Sequence, residues 1–290
     1  MARAQEIATR IGSLKELLEV VGAIRALSAV QMQQAQRSLE AVNRYSNVIA
    51  GALAESASLL SSRPAAFGAL VRERRALLVF GSEHGFCGAF NARLITETRR
   101  ALDQNPNETD LAMVGTRFSQ RAVEHGLRPE VTLAMATHST GVTAAARSVA
   151  DEVYRLLWTR SVGRLEVIHG SYAVGKQIGI ERLTLLPLDP GIFVANRPSM
   201  PPVLNLATDA LFEELATEYL FAMLERAAME SFAAENAARF RAMDAARENI
   251  ENKSRDLIHL AQQVRQESVT TELLDLIAGI EAITKGREEF

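Results

Sequence analysis

The residues that could carry chemistry are few. Ser82-Glu83-His84-Gly85-Phe86-Cys87-Gly88-Ala89-Phe90-Asn91 brings a histidine, the only cysteine of the chain and two glycines into ten positions. Glycines at a strand-to-helix corner can cradle a phosphate on a helix N-terminus, and a cysteine near a histidine can act as a nucleophile. Neither pattern is complete. Gly81, Gly85 and Gly88 do not spell the dinucleotide fingerprint or a Walker loop, and no third group in the sequence orients His84. The segment reads as a structural turn with Cys87 a small buried side chain. The histidines at 84, 125, 138, 169 and 259 show no metal-ligand spacing. Arg72, Arg74 and Arg75 read as a solvated basic flank. A second polar stretch, Arg265 to Glu272, lies inside a helical pattern. It serves either as an exposed face or as a grip on a partner, and the pattern alone leaves both open.

These residues need elements to hold them. From Val203 to Ala278 the chain runs 76 residues without glycine or proline. An uncapped helical pattern far beyond about 25 residues points to a coiled coil, a membrane span or a helical repeat. At ~1.5 Å per residue such a helix would reach roughly 110 Å. The first sixty residues are helical too. Ile7, Ile11, Leu14, Leu18, Val21, Arg25, Ser28, Met32, Ala35, Leu39, Val42, Ser46, Ile49 and Leu53 trace a seam at heptad spacing, and eleven of the fourteen are apolar. The second helix carries Leu211, Leu215, Leu220, Met223, Leu224 and Phe232, then a more polar centre, then Leu260, Val264, Leu273, Leu276 and Ile277.

Between the helices the period changes. Ala76-Leu77-Leu78-Val79-Phe80 reads as a buried strand, followed by a helix from Phe90 to Leu102. A strand at Leu111 to Val114, a helix at Phe118 to His125, a strand at Val131 to Met135 and a helix at Thr143 to Trp158 come next. Leu165 to His169 and Ile180 to Leu186 close the set. Strands alternating with helices at this spacing imply an α/β domain with a largely parallel sheet. Prolines 187, 190, 198, 201 and 202 mark its exit linker. The expected division is 1–65 for the first coiled-coil helix, 70–202 for the α/β domain and 203–290 for the second helix. The expected fold is α/β, with a long antiparallel coiled coil of the terminal helices and an inserted Rossmann-like domain.

Composition sets limits. The net charge of −3 lacks the basic footprint of a nucleic-acid binder. A single cysteine excludes an internal disulfide and fits a reducing compartment. No stretch approaches the ~20 apolar residues of a membrane span, so a soluble, cytoplasmic chain that reaches a membrane only through partners is expected.

Four stretches carry a family resemblance. Ala4-Gln5-Glu6-Ile7-Ala8-Thr9-Arg10-Ile11-Gly12-Ser13-Leu14-Lys15, Ser82 to Asn91, Ala234-Glu235-Asn236-Ala237-Ala238-Arg239-Phe240-Arg241-Ala242-Met243, and Arg265 to Leu273 resemble, in order, motifs of the γ subunits of F-type ATP synthases. The resemblance spans nearly the whole chain and implies a non-catalytic rotor shaft without cofactor or metal. Its partners would be the α and β subunits of the catalytic hexamer, the ε subunit and the membrane c-subunit ring, with no nucleic acid and no direct membrane insertion. Rotation of the shaft would couple ion flow to cycling of the β subunits, on the cytoplasmic side of a bacterial inner membrane. By resemblance, Arg265, Gln266, Thr270 and Glu272 fall in the region that meets β-subunit catch loops. Arg25 and Met32 lie on the shaft's N-terminal helix, in a stretch where Gly22, Gln31, Gln33 and Gln34 replace cations usual in the family. Gly85, Cys87, Gly88 and Asn91 belong to the signature turn. The residues taken without the resemblance also admit an α/β enzyme, or a scaffold, with helical dimerisation arms.

Overall fold

A computed structural model describes residues 2–60, 74–104, 109–173, 177–193 and 204–288. The elements in order are α1 (Ala2–Ser58), β1 (Arg75–Phe80), α2 (Phe90–Asp103), β2 (Thr109–Val114), α3 (Thr116–Glu124), β3 (Val131–Leu133), α4 (Val142–Thr159), β4 (Arg164–Ser171), β5 (Gly179–Leu186) and α5 (Thr208–Glu288). Packing divides the chain into two compact units, one of Met1–Arg25 with Met243–Phe290 and one of Ala26–Ala242.

The larger unit is built on a five-stranded sheet in the order β3-β2-β1-β4-β5. The first four strands are parallel and β5 returns antiparallel along β4. β1 lies at the centre and every residue of it is buried. A strand covered on both faces must be apolar throughout, which explains the run Ala-Leu-Leu-Val-Phe. The alternation of side chains is visible in where each one goes. Ala76, Leu78 and Phe80 join a core with Val149, Val153 and Phe212, while Leu77 and Val79 join a core with Leu94, Phe118 and Ala122. Helix α4 and parts of α1 and α5 therefore cover one face, and α2 and α3 the other.

All fourteen heptad positions of α1 are buried or half-buried, so the seam read from spacing is the packed face. In the smaller unit it meets α5 antiparallel. Leu14, Lys15 and Leu18 share a groove with Ile250, Glu251, Ser254 and Arg255, and further along α1 the Arg25 guanidinium lies 2.7 Å from Asp244. In the larger unit the Tyr45 hydroxyl donates to the Glu218 carboxylate.

Sequence and structure differ at the basic run before β1. Arg72 lies outside the described residues, but Arg75 is almost fully buried rather than solvated. Its guanidinium pairs with Glu166 and donates to the Ala101 carbonyl at 2.9 Å. Glu166 stands where β4 bulges against β5, and Arg164 and Arg182 converge on it too, at 2.6 and 2.7 Å. Burial alone would push its carboxyl up, but these three guanidiniums outweigh that and hold it below the usual range.

Candidate coupling site

The turn after β1 is held by its own side chains and by α5. Asn91, on the first turn of α2, donates from Nδ2 to the Ser82 hydroxyl at 2.7 Å. Glu83 accepts from the amide and hydroxyl of Thr116, at 3.0 and 2.7 Å, and from the Met135 amide at 2.7 Å. It thus ties the turn to the N-terminus of α3 and to the end of β3. Burial works against its charge, but those donors prevail and its carboxyl sits below the usual range.

Phe86 and Gly88 both adopt positive φ, at 61° and 56°. At Gly88 a Cβ would meet only the Ala242 methyl, at 3.7 Å, so the left-handed backbone rather than crowding calls for glycine there. Phe86 is left 71% exposed. Cys87 is buried, and burial pushes its thiol up, away from the reactive thiolate. Gly85 offers its carbonyl and His84 its backbone N–H and carbonyl. The residues that look reactive in the sequence therefore act as architecture.

What they are architecture for lies on α5. In an open parallel sheet, ligands bind outside the carboxyl ends of the strands where the strand order reverses, here between β1 and β4. That crevice is filled by the chain itself. The Ser231 hydroxyl donates to the Phe80 carbonyl at 2.9 Å and accepts from the Gly170 amide at 3.3 Å. A Cβ at Gly170 would meet the Phe90 ring at 2.6 Å and the Ala234 methyl at 2.7 Å. Glu235 accepts from the Glu83 and His84 amides at 3.1 and 3.4 Å. Arg239, one turn on, pairs with Glu235 and donates to the Gly85 carbonyl at 3.0 Å and the His84 carbonyl at 3.2 Å. Burial pushes the Glu235 carboxyl up, against the opposing pull of Arg239 and the two amides.

Around this pin α5 is Ala227, Ala228, Ala233, Ala234, Ala237 and Ala238, all buried. A helix that is apolar on most sides is buried, and alanine lets neighbouring backbones come close. Met32 of α1 packs half-buried against the same core. The motif Glu-x-Ala-Ala-Arg is plain in the sequence, but its partner turn lies some 150 positions away, and only the fold joins them.

The far part of α5 is different. Arg265, Gln266 and Thr270 are exposed, and Thr270 and Thr271 turn their hydroxyls back to the carbonyls of Gln266 and Glu267, both at 2.9 Å. The backbone of Glu272 is helical, and its side chain lies outside the described residues. Leu273, Leu274, Leu276 and Ile277 are each more than half exposed. Arg25, by contrast, is committed to Asp244 within the chain. No helix among the described residues is long and apolar enough to cross a membrane.

Comparison with known proteins agrees with this geometry. A family model described as ATP synthase matches residues 3–283. The ATP synthase gamma chain of Geobacter sp. is 26% identical over 288 residues, covering 98% of this chain and 99% of that one. The gamma chain of Cyanothece sp. is 28% identical over 322 residues, covering 98% and 100%. Among solved structures, a chain of the Euglena gracilis mitochondrial ATP synthase OSCP/F1/c-ring assembly superposes with a TM-score of 0.70 at 16% identity, over 99% of this chain and 96% of that one. A chain of the Tetrahymena thermophila central stalk and c-ring superposes at 0.56 and 16% identity, over 78% and 99%. With a family match that runs almost from end to end and full-length relatives that are gamma chains, the chain belongs to the ATP synthase family.

Proposed function

We propose that the chain is the γ subunit of an F-type ATP synthase, a non-catalytic rotor shaft that couples ion flow through a membrane ring to cycling of the catalytic subunits. The observation that carries this reading is the filled crevice. Where a Rossmann-like sheet would take a ligand, Ser231, Ala234, Glu235 and Arg239 of α5 occupy the carboxyl ends of β1 and β4. The α/β domain is thereby a clamp on a helix. The helix then continues into a segment whose exposed Leu273, Leu274, Leu276 and Ile277 ask for cover. A sleeve of α and β subunits supplies that cover. Arg265, Gln266, Thr270 and Glu272 are the side chains offered to loops of the β subunits. The ε subunit and the c ring sit against the α/β part, in keeping with the central-stalk and c-ring assemblies of the structural neighbours. In this role the chain works at the cytoplasmic face of a bacterial inner membrane, as a peripheral subunit.

An asymmetric shaft changes each catalytic site in turn because each rotary position presents different side chains to it. Co-expression with α and β subunits should yield one assembly with a single copy of this chain. Truncation after Gln263 should leave the unfolding of the α/β part unchanged and lower ATP-driven ion pumping per ATP hydrolysed. Pumping that matches the full-length chain would refute the contact role of the 265–272 segment.

A further inference from the structure

Outside the coupling site, three potential metal ligands meet on one side of the sheet. His169 on β4 is the direct cross-strand partner of Glu181 on β5, and Glu230 approaches from α5. A ring nitrogen of His169 and one carboxylate oxygen from each glutamate all lie within 4.8 Å of one another. The Glu230 carboxylate stands beside the imidazole ring, with its Oε2 3.5 Å from the His169 Nδ1.

Two further observations set this group apart from a chance cluster of acids. The His169 side chain is fully buried, yet its Nε2 has no hydrogen-bond partner among the described residues. Its Nδ1 lies 3.0 Å from the Gly170 carbonyl, the kind of backbone contact that fixes the orientation of a ligating imidazole. The carboxylates are prepared as well. Arg226 donates from Nε to Glu230 Oε1 at 2.9 Å, which orients that carboxylate and leaves Oε2 facing the histidine. Two carboxylates face one guanidinium here, and this excess of acidic groups favours a cation.

We propose that His169, Glu181 and Glu230 bind one divalent transition-metal ion of the zinc class. One nitrogen and two oxygen donors suit zinc better than magnesium or calcium, which take all-oxygen shells. The ion ties β4 and β5 to α5 at Glu230, one residue from the Ser231 contact that seats α5 on the sheet. No spacing in the sequence announces this group, because its members stand 12 and 49 positions apart.

The test titrates the full-length chain, freed of metal with EDTA and desalted, with zinc chloride by calorimetry. One ion per chain is expected, with a rise in unfolding temperature, and a cobalt titration is expected to give visible d–d absorption. Glu181 is exposed, so Glu181→Gln keeps the fold, which an unchanged metal-free urea midpoint checks. It should weaken zinc binding by at least about tenfold, since losing even an outer-shell partner costs 10–100-fold. His125→Gln, at an exposed histidine on the other face, should change nothing. Absence of saturable one-to-one binding overturns the proposal, as does binding that survives Glu181→Gln or disappears with His125→Gln.

Discussion

Arg239→Met removes the guanidinium that joins α5 to the turn while keeping much of the side-chain volume. Four acceptors lose a donor together: Glu235, the Gly85 and His84 carbonyls, and the Asn236 Oδ1 at 3.2 Å. The Glu235 carboxylate is left buried with only the Glu83 and His84 amides. Removing one partner of a buried pair costs about 3–5 kcal/mol. At about 2–4 °C per kcal/mol for a chain of this order of size, the unfolding temperature should fall by about 6–20 °C. The double variant Glu235→Gln/Arg239→Met should cost less than the two singles added, with a coupling of up to about 3 kcal/mol, because it leaves no orphaned charge. The pH response has a definite sign. Without Arg239 the folded-state pKa of Glu235 moves further above its unfolded value, so the folded state binds the extra proton. The penalty of Arg239→Met should therefore shrink as pH falls toward the usual carboxylate range. Urea unfolding gives the energies, and hydrogen exchange at the Glu83 and His84 amides gives the local readout, where protection should be lost first. A cost below about 1 kcal/mol, with those amides still protected, would refute the idea that this pair pins the helix.

Two glycines should rank by mechanism. Gly88→Ala meets no crowding but must hold a left-handed backbone, at about 1–2 kcal/mol. Gly170→Ala drives a methyl into Phe90 and Ala234 and should cost about 3 kcal/mol; urea midpoints in the reverse order would contradict this account. Glu83 and Glu166 both have carboxyls held below the usual range, so their stabilisation is present above about pH 4.3 and is lost as pH falls through the lower folded-state values. Glu83→Gln should flatten that acid limb, and an unchanged slope between pH 5 and 3 would count against the Thr116 and Met135 contacts. Leu273→Glu/Ile277→Glu should leave the isolated chain within about 0.5 kcal/mol of its stability, since both residues are exposed. The same pair should impair assembly with α and β subunits, and normal assembly would show that this face is not covered.

How much of this was legible in the chain depends on sequence distance. The heptad seam of α1 and the buried run of β1 are local periodicities, and they mapped onto burial almost residue by residue. The antiparallel partner, the largely parallel sheet and the strand boundaries followed within a few residues, with β3 shorter than its apolar run because it ends where the Met135 amide turns to Glu83. What stayed hidden was long-range. Glu235 and Arg239 look like an ordinary i, i+4 surface pair, yet both are buried. Arg75 looks like a solvated flank, yet it faces Glu166 across the start of β4. Charge in a sequence suggests exposure, and nothing local says that an opposite charge will arrive from 91 positions away or a backbone amide from 152.

The polar pin also answers a problem that the alanines create. The methyl groups of Ala233, Ala234, Ala237 and Ala238 let α5 lie close to the sheet beside Gly170, but small methyl groups offer little to fix its register there. Large side chains would lock the register and would also hold the backbone away from Gly170. Directional contacts resolve the conflict: Ser231 on the Phe80 carbonyl, Glu235 on two amides and Arg239 on two carbonyls each fit one register only. Buried polar groups gain little net stability over apolar contacts, but they penalise displacement strongly, because a shift leaves each of them unpaired. A helix that transmits torque needs resistance to slipping more than it needs extra stability. Alanine packing with a few buried hydrogen-bonded charges supplies that resistance, and it explains why the turn after β1 presents its backbone to α5 instead of to a ligand.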